Sequence, residues 1–163
     1  MDNSKKDKIS VCICTYRRPE LLAKALTGII SQIINPLFSF EVVVVDNDKN
    51  RTAEVIVRRF QQNSAFEIVY DCEPEQNIAL TRNRAIHNAT GNLVAFIDDD
   101  EYPTDEWLVC MYQCLNKYKV EGVLGPVLPY FLPGAPLWLK KGGFCERKRN
   151  STGSRITTRD MRT

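Results

Sequence analysis

The chain has 163 residues, of which 44% are hydrophobic and 26% charged, and a formal net charge of +2. This composition is typical of a globular protein, and the length suits a single domain. No apolar stretch approaches the roughly 20 residues that a transmembrane helix needs, so the sequence predicts no membrane-spanning segment. The N-terminal residues 1–8 are polar and charged, unlike a signal peptide, and we therefore expect a cytoplasmic protein.

Patterns typical of strands and helices alternate along the chain. In chain order they predict strand 9–14, a helix from Pro19, strand 40–45, helix 52–62, strand 66–70, helix 79–89, strand 93–97, helix 105–118 and strand 123–128. Asn77 is interpreted as a cap of the helix that follows it, with a role as a ligand contact as the alternative. Alternating strands and helices favour an α/β fold, a three-layer α/β/α sandwich around a mostly parallel sheet.

The charge is distributed unevenly. Residues 1–139 carry 14 basic and 18 acidic residues, a net charge of −4, whereas residues 140–163 carry 8 and 2, a net charge of +6. A basic tail of this kind is attracted to diphosphates or to an anionic membrane surface. Nucleic acid is the weakest candidate partner, because no recognised binding module accompanies the charge. A solvated tail is the alternative.

The six cysteines predict no disulfide framework, because the sequence shows no export signal. Cys12 and Cys14 share one face of a predicted strand, and Cys110 and Cys114 share one face of a predicted helix. Neither spacing matches a zinc ribbon or finger. We expect these residues to be small buried hydrophobic side chains.

Polar side chains follow three of the predicted strands. They are Thr15–Arg18 after the first strand, Asp46–Asp48 after the second and Asp98–Glu101 after the fourth. Open α/β sheets bind ligands beyond the carboxyl ends of their strands. We therefore predict that Asp46 and the aspartates at 98–100 converge on one pocket at this edge.

The acidic run Asp98–Glu101 indicates a cation site. Adjacent carboxylates repel one another, and a hard divalent ion, Mg²⁺ or Mn²⁺, neutralises them while keeping positions for phosphate oxygens. A solvated turn is the alternative. The first loop, Thr15–Pro19, lacks the glycine patterns of dinucleotide-binding domains and P-loops, so a nucleotide bound here would depend on side chains and a metal.

Four strings of residues resemble successive signatures of family 2 glycosyltransferases, which have the GT-A fold. They occur in the order expected for that family and are Ile9–Leu22, Phe40–Asp48, Leu80–Ala85 and Gly91–Asp100. The resemblance covers roughly residues 9–110. Gly125–Pro129 and Trp138–Arg149 are similar to bacterial exopolysaccharide glycosyltransferases of the succinoglycan type.

The resemblance implies a nucleotide-sugar donor, most often a uridine diphosphate (UDP) sugar, and a divalent ion held by an Asp-x-Asp motif. Thr15 would lie by the nucleotide, Asp46 would accept a hydrogen bond from the base, and Arg82 would lie near the diphosphate. The implied donor-binding residues are Thr15, Tyr16, Arg17, Asp46, Asp48, Arg82, Asp98 and Asp99, and the implied metal ligands are Asp100 and Asp98. The triple Asp leaves the register of the motif open by one residue.

Two of these positions have structural alternatives. Thr15 is also suited to cap the helix that begins at Pro19. Arg82 and Arg84 are also suited to a solvated helix face that pairs with Glu73 or Glu75.

The implied activity is transfer of the sugar, with inversion, to a glycan or lipid-linked acceptor in polysaccharide biosynthesis. The acceptor region would begin in residues 129–163, after a donor-binding core at 9–128. No catalytic base is recognisable, since Glu146 and Asp160 are the carboxylates after Glu121 and neither has the family's context. We therefore expect a truncated domain that binds donor and transfers sugar very slowly or not at all.

Two other functions remain open from the residues alone. One is a sugar-phosphate nucleotidyltransferase, against which the first loop argues because it lacks a glycine-rich segment. The other is a non-catalytic α/β domain such as a phosphorylation receiver, which would need a lysine after its fifth strand. Peripheral membrane contact through the basic tail and oligomerisation are also compatible with the sequence.

Overall fold

The computed structural model describes residues 6–34, 36–143 and 149–156. Its strands and helices are β1 Asp7–Thr15, α1 Pro19–Ile30, β2 Phe38–Asp46, α2 Glu54–Asn63, β3 Ile68–Cys72, α3 Ile78–Asn88, β4 Leu93–Asp98, α4 Trp107–Tyr118 and α5 Leu137–Lys141. The predicted elements up to α4 all form, with small differences at their ends. The short helix α5 was not predicted.

The four strands form one parallel sheet in the order β3-β2-β1-β4. In β2, every residue except Ser39 is buried, as expected for a β-branched strand covered on both faces. The register places Thr15 beside Asp46 and Cys14 beside Asp98. The polar segments after β1, β2 and β4 therefore meet at one edge of the sheet, as predicted.

Helices cover both faces of the sheet. On one face, Cys12 and Val43 pack with Ala85 of α3. Val11 and Ile13 point to the opposite face and are also fully buried. This arrangement confirms the predicted α/β fold with a parallel sheet.

The chain divides into two compact units, residues 1–109 and 110–163. The boundary lies inside the predicted 9–128 core, and the predicted start of an acceptor region at residue 129 stays a prediction. No helix within the described ranges is long and apolar enough to cross a membrane. The predicted carboxylates Glu146 and Asp160 lie outside the described residues.

The predicted strand at 123–128 is wrong. These residues have no strand structure and follow α4 as irregular chain. An apolar run becomes a strand only when another strand supplies hydrogen-bond partners, and Pro126 has no N–H to donate. Leu124 and Leu128 are exposed.

Cys12 and Cys14 of β1 are closer to the predicted buried state than Cys110 and Cys114 of α4. Cys12 is buried and Cys14 half-buried, and burial raises the pKa of Cys14 to about 11. Cys110, by contrast, is exposed. In α4 the buried side chain is Leu108, and a residue two positions further along a helix points to a different side.

Gly91 is expected to be a position where even one added methyl group destabilises the fold. A Cβ atom there would lie 2.4 Å from the carbonyl oxygen of Lys8 and 2.8 Å from Ser10 Oγ. Backbone must move to relieve this clash, so we expect Gly91→Ala to cost about 1–3 kcal/mol of unfolding free energy. Urea denaturation measures the loss. Gly122→Ala is the control, because no atom lies within 4 Å of its added Cβ, and an equal loss in both variants would contradict this prediction.

Candidate functional site

A cavity of about 300 Å³ opens at the carboxyl edge of the sheet. Its walls come from the ends of β1 and β2 and from the loop between β3 and α3. The lining residues are Cys14, Thr15, Tyr16, Arg18, Asn47, Gln76, Asn77 and Ile78. Thr15 and Tyr16 were predicted site residues. Asn47 and the loop residues were not among the predicted site residues, and the signal for Asn47 was its place directly after Asp46 at the end of β2.

Asn47 fixes the loop that closes one side of the cavity. Its Nδ2 donates to the backbone oxygens of Glu73, at 2.9 Å, and Glu75, at 2.6 Å. Its Oδ1 accepts a hydrogen bond from the backbone N–H of Asn77 at 3.0 Å. Asn77 in turn caps α3, since its Oδ1 accepts from Ala79 N at 2.9 Å. The predicted cap is therefore confirmed.

We expect Asn47→Ala to loosen this loop. The substitution leaves two backbone oxygens and one N–H without their partner, which costs about 1–3 kcal/mol. Thermal unfolding followed by circular dichroism measures the loss. Asn63→Ala is the matched control, because the Asn63 side chain donates one exposed hydrogen bond, to the backbone oxygen of Arg59. A cost no larger than that of the control would contradict the bracing role.

Asp46 is fully buried and does not line the cavity. Its Oδ1 accepts from the backbone N–H of Asp48 at 3.0 Å. Its Oδ2 accepts from the backbone N–H of Ala53 at 2.8 Å and from the hydroxyl of Tyr70 at 3.1 Å. Burial and the Asp46 charge raise the pKa of Tyr70, so this hydroxyl keeps its proton. The carboxylate thus holds the turn after β2, and its predicted bond to a base stays a prediction. Asp46 and Asp98–Asp100 lie at the same edge of the sheet, but none of them lines this cavity, so the predicted convergence on one pocket is not observed there.

Arg17 and Asp48 pair with each other beside the cavity. Arg17 Nε donates to Asp48 Oδ2 at 3.1 Å, and the Arg17 guanidinium lies 5.0 Å from the centre of the Tyr16 ring. Burial alone would raise the pKa of Asp48, but hydrogen bonds from Asn50 and Arg17 hold it below its usual value. Neither Arg17 nor Asp48 lines the cavity. Their predicted contact with a nucleotide stays a prediction.

The structure separates the three aspartates that follow β4. The Asp98 and Asp100 side chains are 62% and 49% exposed. Asp99 points inward and is fully buried, and Thr15 Oγ1 donates to its Oδ2 at 2.7 Å. Burial raises the pKa of Asp99, and the contacts with Thr15 and Arg18 oppose that shift. The two exposed aspartates are therefore Asp98 and Asp100, and their assignment to an Asp-x-Asp motif stays a prediction.

Thr15 does not cap α1. The residue at the cap position is Arg18, which makes no side-chain capping bond, and the Thr15 hydroxyl is used for Asp99. Tertiary contact with the turn after β4 therefore decides between the two roles that the sequence allowed for Thr15.

The two arginines of α3 have different partners. Arg84 pairs with Glu73 at 2.9 Å and with Asp71 at 3.2 Å, which agrees with the alternative of a paired helix face. Arg82 instead faces the acidic turn, with Nη2 at 3.8 Å from Asp98 Oδ1. Of the two, Arg82 is the arginine at the carboxyl edge.

The exposed carboxylates of Asp98 and Asp100 have the type of oxygen that Mg²⁺ and Mn²⁺ prefer as ligand. Within residues 6–34, 36–143 and 149–156, no group of three or more His, Cys, Asp or Glu side chains is arranged to hold a metal. Mg²⁺ and Mn²⁺ sites in enzymes of phosphate substrates commonly use one or two carboxylates and complete the shell with phosphate oxygens and water. Asp98 and Asp100 supply such hard oxygen donors.

The sequence of residues 10–162 matches the family model described as glycosyl transferase family 2. This chain belongs to glycosyl transferase family 2. The match agrees with the observed parallel sheet and its flanking helices. It confirms the family that the four sequence signatures resembled.

Similar proteins support the family and the GT-A fold. Succinoglycan biosynthesis protein ExoM of Rhizobium meliloti is 35% identical over 136 residues, which are 83% of this chain and 44% of ExoM. The structure of S. aureus TarS 1-349 in complex with UDP gives a TM-score of 0.59 at 25% identity and covers 76% of this chain and 38% of that one.

Mannosyltransferase PcManGT from Pyrobaculum calidifontis, in complex with GDP-Man and Mn²⁺, shares the fold at a TM-score of 0.56 and 24% identity. That match covers 71% of this chain and 32% of the mannosyltransferase. The chain thus spans less than half the length of ExoM, of TarS 1-349 and of PcManGT.

Proposed function

We propose that this chain forms the donor-binding part of a glycosyltransferase that uses a nucleotide diphosphate sugar, specifically a UDP-sugar, in polysaccharide biosynthesis. The observation that carries the proposal is the cavity beside the exposed Asp98 and Asp100 in a family 2 chain. The acceptor would be a glycan or a lipid-linked sugar. Family membership favours this function over a nucleotidyltransferase or a phosphorylation receiver.

The cavity size suits the nucleoside end of the donor. Its volume of about 300 Å³ is at the lower end of small-molecule sites, which span roughly 300–1,000 Å³. The nucleoside would lie against Thr15, Tyr16 and Asn47, and the diphosphate would extend toward Asp98 and Asp100. Uridine diphosphate in the TarS complex supports the choice of donor class.

The proposed cofactor is Mg²⁺ or Mn²⁺, held by Asp98 and Asp100. When bound, such an ion neutralises the charge that grows on the departing diphosphate. Arg82, whose Nη2 lies 3.8 Å from Asp98 Oδ1, would add positive charge at the same end of the donor. The reaction would be a displacement with inversion at the anomeric carbon, in which a carboxylate deprotonates the acceptor hydroxyl.

Calorimetric titration with UDP, GDP and ADP sugars, in Mn²⁺ or in EDTA, tests the proposed function. We expect one nucleotide class to bind, with a higher affinity in Mn²⁺. The matched control is inorganic phosphate, which shares the charge and lacks the nucleoside. Absence of binding by every nucleotide sugar would contradict the donor site, and equal affinity in Mn²⁺ and EDTA would contradict the cofactor.

We also infer that the second unit makes peripheral contact with an anionic membrane. In and near α5, Tyr130, Leu137 and Trp138 are 73%, 69% and 66% exposed. Lys140 and Lys141 follow in the same short helix. Aromatic and aliphatic side chains next to lysines are typical of segments that lie in the membrane interface. We therefore propose that the protein works at the inner face of the membrane, where a lipid-linked acceptor would be found.

Cosedimentation with lipid vesicles tests the membrane contact. We expect binding to vesicles that contain phosphatidylglycerol, weaker binding at high salt, and a loss of binding in Lys140→Gln/Lys141→Gln. Lys117→Gln/Lys119→Gln, in the same unit, is the control with the same change in charge. Equal binding to neutral phosphatidylcholine vesicles, or equal losses in the two double variants, would contradict this surface.

A further inference from the structure

Arg18 connects the cavity to the acidic turn. It lines the cavity and contacts both Asp99 and Asp100. Its Nε donates to Asp99 Oδ2 at 3.1 Å, its Nη2 lies 2.6 Å from Asp99 Oδ1, and its Nη1 donates to Asp100 Oδ2 at 3.0 Å. One guanidinium therefore reaches from the wall of the cavity to a proposed metal ligand.

The two carboxylates hold Arg18 with very different strength. Asp99 is fully buried, and the Arg18 guanidinium lies against both of its oxygens and compensates its charge. Separating a buried carboxylate from its cation is strongly unfavourable. The Asp100 side chain is 49% exposed, and exposed ion pairs contribute little because water screens them. Arg18 can thus change its partner at Nη1 while it stays attached to Asp99.

A diphosphate is the stronger partner for the exposed edge of Arg18. Arginine forms charge-assisted hydrogen bonds to phosphate oxygens, and these are roughly twice as strong as neutral ones. A nucleoside in the cavity would place its phosphates at the mouth, where Arg18 and Asp100 meet. Asp100, once released from Arg18, would have both oxygens available for a cation.

We propose that Arg18, positioned by the buried Asp99, binds the diphosphate of the nucleotide and gives up Asp100 when the nucleotide binds. This inference rests on the proposed function, because it needs a nucleoside in the cavity. Arg18 was not among the predicted site residues, in which the arginine near the diphosphate was Arg82. Asp99 acts as a positioning residue in this arrangement and does not contact the ligand.

Calorimetric titration of Arg18→Gln with uridine and with UDP tests the inference. We expect UDP affinity to fall by about 10- to 100-fold, the effect of losing a hydrogen bond to a charged group, while uridine affinity changes by less than about twofold. Arg59→Gln, an exposed arginine of α2, is the matched control and should bind both ligands like the parent. Free diphosphate, titrated in parallel, separates recognition of the diphosphate alone from recognition of the whole nucleotide.

Two further variants test the partner exchange. In metal-free buffer, Asp100→Asn is expected to bind UDP up to about fivefold more tightly, because Arg18 no longer has to leave a carboxylate. Asp99→Asn is expected to weaken UDP binding as much as Arg18→Gln does. The double variant Arg18→Gln/Asp99→Asn should bind UDP no more weakly than either single variant. Such non-additivity is the mark of two residues that act as one unit.

The outcomes separate this inference from the proposed function. Parent-like UDP binding by Arg18→Gln, with uridine binding intact, would overturn the role of Arg18 and leave the donor site standing. An equal loss of uridine and UDP affinity would also overturn it, since Arg18 would then only shape the cavity. A parent protein that binds neither uridine nor UDP would overturn the proposed function itself.

Discussion

Glu41→Ala is expected to destabilise the protein by about 3–5 kcal/mol, because it removes a buried carboxylate that accepts several hydrogen bonds, and each buried donor left unpaired costs about 1–3 kcal/mol. Glu41 is fully buried in β2 and pairs with Lys8 Nζ at 2.5 Å. Ser10 Oγ donates to Glu41 at 2.6 Å, and the backbone N–H of Thr90 donates at 2.7 Å. The substitution leaves these donors without an acceptor inside the sheet. Denaturation in guanidinium chloride measures the loss.

Glu67→Ala is the matched control for Glu41→Ala. Glu67 also contacts Lys8 Nζ, at 3.2 Å, but its side chain is 62% exposed. An exposed ion pair contributes about 0–1 kcal/mol, so the control should be nearly as stable as the parent. Equal stability of the two variants would show that the buried network does not hold β1, β2 and the chain before β4 together.

Stability should also depend on pH through Glu41. Burial alone would raise the pKa of this carboxyl, but hydrogen bonds from Lys8, Ser10 and Thr90 lower it from 4.5 to about 2. A carboxyl with a depressed folded-state pKa stabilises the fold above its unfolded pKa. The contribution is therefore complete above pH 4.5 and is lost as the pH falls from 4.5 toward 2. Glu41→Gln should lose this part of the pH dependence in denaturation curves recorded at several pH values.

Replacing Asp98 and Asp100 together by asparagine is expected to reduce UDP affinity in Mn²⁺ by about 100-fold, so that the variant binds UDP equally well in Mn²⁺ and in EDTA. Each carboxylate offers a charged oxygen to the ion, and losing an interaction with a charged group costs about 1.5–3 kcal/mol. The buried Asp99 is left in place, so the anchor of Arg18 and Thr15 is retained. Titration of the variant with UDP, in both buffers, measures the effect.

The control for this double variant is Asp105→Asn/Glu106→Gln. It removes the same two charges from exposed positions close in sequence to the acidic turn. We expect its UDP affinity and its dependence on Mn²⁺ to match the parent. If Asp98→Asn/Asp100→Asn kept the parent's dependence on Mn²⁺, the two carboxylates would belong to a solvated turn and another site would hold the ion.

Local patterns were sufficient to predict the elements of the first unit. The β-branched run of β2 and the helical spacing of α1 are set by neighbours within a few residues in the chain. The strand predicted at 123–128 does not form, because a local apolar pattern does not specify whether a partner strand lies beside it. Likewise, Cys110 has the character of a core residue, but the side of α4 that it occupies is set by packing.

The sequence by itself determined the parallel α/β sheet, the family and the edge at which polar residues gather, because strand and helix periods and short motifs are local properties. The tertiary structure alone decided which side chains face the cavity. Asn47 meets Asn77 across 30 positions of sequence, and Arg18 meets Asp99 across 81. Asp99 points inward and is buried, and Asp46 accepts a hydrogen bond from the backbone N–H of Asp48 in the turn that follows β2. Such choices depend on what packs against each residue, and no local pattern records that.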